Sequence, residues 1–338
     1  MKFKLKIIFM KKIREWRFFV VANIRIEKIS EWEIFQSDNR RRKTMDLEKF
    51  YQFKRWAIIA LFSDDELAEK FVLKGGTALQ LRKLSSRASM DIDVSMIDDF
   101  SKEELPSIEE RLKNNFTDVF GEHGYTIFDF KFYEKPKNQP PERAAFWGGY
   151  KIEFKIYKTE NMGSLDIDAL RRSAEVVAKK GKRIFSIDIS KYEFCTPAEE
   201  EDLDGYTINI YTTAMIVCEK IRALCQQLPE YFINHGESKS PRPRDFYDIY
   251  TIMKISNLSF NQIDIVVFEE MFKIKKVDFS LLDRILSPEY YNFTKGGLQS
   301  LIDTLPLDER TDFDFDVCYD YVIKGIQLLK TQLINTQK

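Results

Sequence analysis

Two short stretches of this sequence combine residue types that do chemistry at a spacing that brings them together. The first is Lys74-Gly75-Gly76-Thr77-Ala78-Leu79. Two glycines at a turn into a helix let backbone amides approach a ligand closely, and a helix N-terminus favours an anion such as phosphate. Thr77 adds a hydroxyl donor at the cap position. The second stretch, Asp91-Ile92-Asp93, follows thirteen residues after Thr77. On a strand its two carboxylates point to one face, while Ile92 and Val94 point into the core. Adjacent carboxylates repel each other unless a cation sits between them. Oxygen-only ligands at that spacing suit Mg²⁺, which in turn holds a nucleoside triphosphate. A Gly-Gly-Thr start or a D-x-D pair is unspecific alone; a helix start followed by a strand that returns beside it is far more specific. No G-K-[ST] is present, which excludes a Walker loop.

Scarce residues exclude other chemistries. His123 and His235 are the only histidines, so neither a His-rich zinc site nor H-E-x-x-H exists, and no G-x-S-x-G elbow accompanies them. Cys195, Cys218, Cys225 and Cys318 show no C-x-x-C spacing; Cys218 and Cys225, seven apart on one helical stripe, read as buried thiols, and this usage fits a reducing cytoplasm. The N-terminus has too short an apolar run for a signal peptide, and no apolar run approaches the ~18 residues of a membrane span. The overall charge, 53 basic against 54 acidic, hides an asymmetry: residues 1–44 hold 13 Lys/Arg and 5 Asp/Glu. A basic head of +8 therefore precedes an acidic body of −9.

The elements that position the two stretches follow from hydrophobic periodicity. A helix is expected from Met45 through Phe62, then a short helix over Ala78–Leu84 and a strand over Met90–Ser95. A helix over 101–120 starts at a Ser101/Glu104 capping box. Strands at Thr126–Tyr133 and Tyr150–Tyr157 flank a Pro-rich loop, a helix covers 163–180, and a strand at Arg183–Ile189 closes an α+β stretch near Ser190. Helices at 211–228, 244–256, 260–273, 278–286, 296–304 and 313–334 then predict a bundle, the last with a stripe of Cys318, Val322, Ile326 and Leu329.

At Lys74–Leu79 and Arg87-Ala88-Ser89-Met90-Asp91-Ile92-Asp93 the sequence resembles the DNA polymerase beta-type nucleotidyltransferases, and more narrowly the AbiEii/AbiGii toxin family. Two later motifs also match: Cys218-Glu219-Lys220-Ile221-Arg222-Ala223-Leu224 and Arg242-Pro243-Arg244-Asp245-Phe246-Tyr247-Asp248-Ile249. The resemblance spans roughly residues 45–255. It implies an α+β fold: a nucleotidyltransferase domain with a mixed sheet and flanking helices over 45–200, after a basic extension at 1–44. A helical bundle over 205–338 would contribute Lys220 and Asp245. By position, Lys74, Gly75, Gly76, Thr77 and Arg222 would bind the nucleotide, Asp91 and Asp93 two Mg²⁺ ions, and Lys220 and Asp245 would be catalytic. Asp248 reads equally as a salt-bridge partner of Arg222 or Arg244.

This chemistry calls for a third carboxylate to bind the metal at the attacking hydroxyl and aid its deprotonation. Asp188, in Ser186-Ile187-Asp188-Ile189-Ser190, echoes the pattern of Asp91–Ser95 and is preferred; Glu153, flanked by Lys151 and Lys155, is the alternative. The resemblance implies transfer of a nucleoside monophosphate from an NTP to an acceptor hydroxyl. That acceptor would be RNA, plausibly the tRNA 3′ end, and the protein the toxin of a type IV toxin–antitoxin system in phage defence, with an antitoxin encoded nearby. Local basic patches for RNA would be Arg82, Lys83 and Arg87, or Lys239, Arg242 and Arg244. The competing readings are a non-catalytic module on the same fold and a small-molecule nucleotidyltransferase.

Overall fold

The structure is a computed structural model that describes residues 46–336 except 88, 162–165, 179–180 and 235–238. The basic head, Met45, Ala88 and His235 lie outside the described residues. The architecture is α+β. The seven strands among the described residues are β1 (Val72–Lys74), β2 (Ile92–Ser95), β3 (Tyr125–Lys135), β4 (Gly149–Lys158), β5 (Phe185–Ser190), β6 (Ala198–Leu203) and β7 (Tyr206–Tyr211). They form one mixed sheet in the order β3-β4-β5-β2-β1-β7-β6. β2 and β5 run parallel, with Asp93 opposite Asp188, and β1 lies antiparallel to β2, with Lys74 opposite Asp93.

Period-two alternation decides which face is which. Tyr150, Ile152, Phe154 and Ile156 of β4 and Phe185, Ile187 and Ile189 of β5 are buried on one face. Their neighbours Lys151, Glu153, Lys155, Ser186 and Asp188 therefore stand on the other. The apolar face is closed by α1 (Leu47–Phe62) and α4 (Leu105–Glu122). Asp46 caps α1 by accepting from the Lys49 amide. Phe50 of α1 packs on Phe185, and Phe116 and Phe120 of α4 pack edge-on against Phe154. Each such ring withdraws enough apolar area to contribute roughly 1.5–3 kcal/mol. Between α1 and α4 come the single-turn α2 (Asp65–Ala68) and α3 (Gly75–Leu81).

The opposite face is shared. After the single-turn α5 (Pro141–Ala144) and α6 (Ile167–Ser173), the chain leaves β7 directly into α7 (Thr213–Cys225), capped by Thr212. Residues α8 (Pro243–Ile255), α9 (Ile265–Lys273), α10 (Leu281–Ile285), α11 (Pro288–Lys295), α12 (Leu298–Ile302), α13 (Glu309–Asp312) and α14 (Phe315–Thr336) complete the helical part. Cys318, Val322, Ile326 and Leu329 of α14 are all buried, as their spacing predicts, and so are all four thiols. No helix among the described residues is long and apolar enough to cross a membrane.

The sequence reading lacks β1 and the single-turn helices α2, α5 and α13, and α3 spans Gly75–Leu81 where Ala78–Leu84 is expected; three further elements differ. The helix expected over 163–180 ends at Ser173, because Ala174 turns to an extended conformation and the Glu175 amide donates to the Ile156 carbonyl along β4. Beyond Ser190 the sheet continues as the β6–β7 hairpin, so the helical part begins at Thr213. α11 lies between two helices that were read as neighbours.

Helix α14 contains Gly325, where an added Cβ would come within 2.1 Å of the Phe260 ring. On an exposed helix Gly→Ala gains about 1 kcal/mol. Here overpacking outweighs that gain, and Gly325→Ala is expected to lower stability by on the order of 1–3 kcal/mol in chemical denaturation.

Candidate active site

The start of α3 is shaped by what lies against it. Gly75 has φ +68°, and a Cβ there would sit 2.7 Å from Asp93 Oδ2; at Gly76 it would sit 2.6 Å from Ser89 Oγ. The glycines are thus required by the close return of the Asp-x-Asp segment as well as by any ligand. The Thr77 hydroxyl donates to the Asp91 carbonyl at 2.5 Å. Lys74, not Thr77, is the N-cap residue, so Thr77 fastens the Asp-x-Asp loop instead of capping the helix. Lys54 of α1 reaches the same loop from below, donating to the Ser89 carbonyl at 2.8 Å and to Gln80 at 3.0 Å; Gln80 in turn donates to the Arg87 carbonyl. Burial pushes Lys54 down to about 8, against the pull of Asp91 and Asp93.

Asp91 is exposed and Asp93 half-buried. Burial pushes Asp93 up to about 6, and Glu219, Asp91 and Asp188 add to the rise against the opposing charge of Lys74. Asp188 pairs with Lys135 at 3.2 Å and Lys151 at 3.4 Å. Glu153 stands opposite Ser186, one side chain further along the same face and one strand further from Asp93. Among the described residues no three His, Cys, Asp or Glu side chains converge as a ready-made metal cage. Asp91 and Asp93 are the groups that could hold a hard cation, an oxygen-only pair whose mutual repulsion such a charge would relieve.

Facing these carboxylates is a wall of buried ion pairs. Lys220 of α7 donates to Asp245 at 2.9 Å and to Asp248 at 2.7 Å, both on α8. Arg87 grips Asp248 through two parallel bonds of 3.0 and 2.9 Å, and Arg242 pairs with Asp245. Burial alone would favour neutral carboxyls, yet Arg242 and Lys220 hold Asp245 well below the usual carboxylate range. Lys220 and Arg87 do the same for Asp248. Lys220 itself is raised despite its burial by the same two carboxylates. The partners of Asp248 are therefore Lys220 and Arg87, not Arg222 or Arg244.

A second set joins the sheet to α7. Lys74 pairs with Glu219 at 2.9 Å and Glu193 at 3.2 Å, and Arg222 donates to Glu193 and to the Met271 carbonyl. Lys275 completes it at 3.3 Å from Glu193, pushed down to about 8 by burial. Each set places three cations over two carboxylates, so both leave positive charge facing the cavity.

That cavity has a volume of about 760 Å³. Its lining brings together Lys74, Gly75, Gly76, Asp91, Asp93, Lys220, Arg222, Arg244 and Asp245. Thr77, Glu153, Asp188 and Asp248 are not part of its lining. The basic patches fare differently. Arg82 is spent on Glu199 and Glu201, Arg87 on Asp248 and Arg242 on Asp245, and Arg244 donates to the Ser300 carbonyl from the cavity mouth. Glu193 and Lys54 were missed in the sequence, since nothing local marks a buried acid or lysine. Glu219 stood inside a motif without a role.

A model of the nucleotidyl transferase AbiEii toxin family, type IV toxin–antitoxin system, matches residues 57–317. Among solved structures, JHP933 from Helicobacter pylori is 15% identical, with 87% of this chain and 97% of that chain covered at a TM-score of 0.42. MenT4, a nucleotidyltransferase toxin from Mycobacterium tuberculosis, is 12% identical, with 82% of each chain covered at a TM-score of 0.38. No curated protein matches the sequence.

The raised Asp93 carboxyl has a stability consequence of definite sign. Between pH 3.8 and about 6 the folded state binds the proton more tightly than the unfolded one, so stability falls as pH rises through that window. The full shift corresponds to at most about 3 kcal/mol. In metal-free buffer Asp93→Asn should therefore be more stable than the parent at pH 7.5 and nearly equal to it at pH 4, as read by denaturation at both pH values.

Proposed function

The chain belongs to the nucleotidyl transferase AbiEii toxin family of type IV toxin–antitoxin systems, and from that premise we propose that it transfers a nucleoside monophosphate from an NTP to a hydroxyl of RNA, at the tRNA 3′ end. That it is a nucleotidyltransferase toxin follows from the family. The observation that carries the finer reading is the shared cavity, whose lining joins the Gly75–Gly76 turn, Asp91 and Asp93 to Lys74 and Lys220. A carboxylate pair lining one cavity with two net cationic sets is the combination that a triphosphate and its countercharge require.

In this reading the triphosphate lies against the backbone of Gly75 and Gly76, where a side chain would collide with Asp93 or Ser89. Lys220, fixed by Asp245 and Asp248, and Lys74, fixed by Glu193 and Glu219, supply stationary positive charge. Such preorganised charge stabilises the negative charge that grows on the leaving pyrophosphate. Arg222 and Arg244 bound the nucleotide from the helical side. Asp91 and Asp93 would hold Mg²⁺, a cation that keeps several waters and takes one or two carboxylates plus substrate phosphates, so a three-residue cage is not needed. When bound it would offset phosphate charge and orient the α-phosphate.

The acceptor oxygen attacks the α-phosphorus, the bond to the bridging oxygen of the β-phosphate breaks, and pyrophosphate departs. Asp188, opposite Asp93 on the adjoining strand, takes the hydroxyl proton. Its register makes it the better third carboxylate; Glu153 stands a strand further away. An antitoxin is the regulatory partner, phage defence the context and the cytoplasm the compartment, in keeping with four buried free thiols.

Incubating the protein with labelled NTPs, Mg²⁺ and total RNA tests this. Label should enter RNA and fall by on the order of 100-fold or more in Asp93→Asn and Asp91→Asn. Label in a small molecule, or none anywhere, would refute the RNA assignment.

A further inference from the structure

The half of the sheet that the helical part leaves accessible is a lysine-faced ramp leading to the catalytic carboxylates. Its side chains follow from register. On β3 the outward residues are Lys131, Tyr133 and Lys135, opposite Glu153, Lys151 and Gly149 of β4. Lys151 in turn stands opposite Asp188 of β5, and Asp188 opposite Asp93 of β2. Ser190, two residues along β5 on the same face as Asp188, lines the cavity. The ramp and the cavity are therefore one continuous surface, with Asp188 at the join.

The chemistry of this surface is not that of a bare supporting sheet. Lys131 and Lys135 are exposed, and the Lys135 and Asp188 side chains keep 55% and 42% of their accessible area. Lys155 adds a further cation, paired with Asp129. Tyr133 is partly exposed between Lys131 and Lys135, its hydroxyl hydrogen-bonded to Glu153. Outward side chains on one strand recur every ~6.6 Å and neighbouring strands lie ~4.8 Å apart, so the lysines form a two-dimensional array. A cationic track with an aromatic ring among the charges is the composition that binds a single-stranded polynucleotide, charge on the backbone and ring on a base.

We propose that this face of β3, β4 and β5 docks the 3′-terminal single-stranded segment of the RNA acceptor, with Lys131, Lys135 and Lys151 on its phosphates and Tyr133 against a base. The inference rests on the reaction proposed above and adds where the acceptor lies. It also gives a second role to Lys135 and Lys151, which hold Asp188 in the absence of RNA and line the path by which the terminal hydroxyl reaches it. The occupant is argued from charge complementarity and from continuity with the cavity, because a chain lying on this ramp presents its end to Asp188 and Asp93 together.

The test uses the full chain and a fluorescein-labelled twelve-nucleotide single-stranded RNA with a free 3′-hydroxyl, followed by anisotropy over a range of salt. Lys131→Ala/Lys135→Ala should weaken binding at least tenfold at low salt. It should also reduce the slope of log affinity against log salt by about 1.4, two phosphate contacts at roughly 0.7 each. Tyr133→Leu should weaken binding without changing the slope. Lys113→Ala, on α4 behind the other face of the sheet, should change neither. Stabilisation by NTP in a thermal shift assay reports that each variant is folded with its nucleotide pocket intact. Unchanged affinity and slope in the double variant would overturn the inference while leaving the proposed reaction standing, provided the parent still labels RNA. The same titration is run with a fluorescein-labelled polyglutamate peptide, and a double variant that loses its binding while retaining that of RNA would overturn the inference in favour of an acidic protein partner.

Discussion

The chain of charges Arg87–Asp248–Lys220–Asp245–Arg242, buried except for the half-exposed Arg242, is the constraint on which the rest of the structure depends. Ions of this kind are costly to remove from water, and taking one partner away from a buried pair typically costs 3–5 kcal/mol because the other is left uncompensated. The members come from three places far apart in sequence: the loop before β2, the middle of α7 and the start of α8. None of them can move alone. Hydrophobic packing would tolerate a small slide of the helices over the sheet, but a bidentate guanidinium–carboxylate pair tolerates much less. The set thereby fixes the distance between the Asp-x-Asp loop and Lys220.

The second set does the same on the other side of the cavity, with Glu193 at its centre. A single buried carboxylate there meets Lys74 of β1, Arg222 of α7 and Lys275 beyond α9. Cations outnumber carboxylates in both sets, whereas on the strands carboxylates gather on one side of the cavity. Burial and like charge push Asp93 up to about 6, a state that lowers stability at neutral pH. The site thus stores electrostatic tension that a bound polyphosphate and its countercharge would release. Sites of this type trade folding stability for readiness.

What was legible in the sequence depended on whether the signal was local. The Gly-Gly-Thr turn, the alternation of Asp91–Ser95 and the stripe on α14 are local patterns, and each forms as its period dictates. Gly75 is different: its type was read as room for a ligand, while the structure shows that it is also room for Asp93. Thr77 was read as a cap but its hydroxyl is turned to the Asp91 carbonyl, a partner fourteen positions away. Arg87 and Arg242 looked like surface charge because a sequence gives no sign of the acid that will pair with them. The β6–β7 hairpin carried a signal that was overlooked. Asp204-Gly205, both at positive φ, is a two-residue turn of the favoured kind, but the Glu-rich strand before it lacks the apolar alternation that marks a half-buried strand. As the edge of the sheet that strand has reason to be charged.

In the sequence a long segment separates Asp93 from Asp188. The topology makes that segment their connection. β2 and β5 are parallel neighbours, and parallel strands can be joined only by a crossover long enough to carry the chain back to the starting end. Here α4, β3, β4 and α6 make that crossover. α4 covers the apolar face, while β3 and β4 extend the polar one alongside Asp188. The same residues that separate the two carboxylates in sequence therefore bring them side by side. They also build the lysine-faced sheet at the site's edge, so the segment that divides the site in the sequence is what completes it in space.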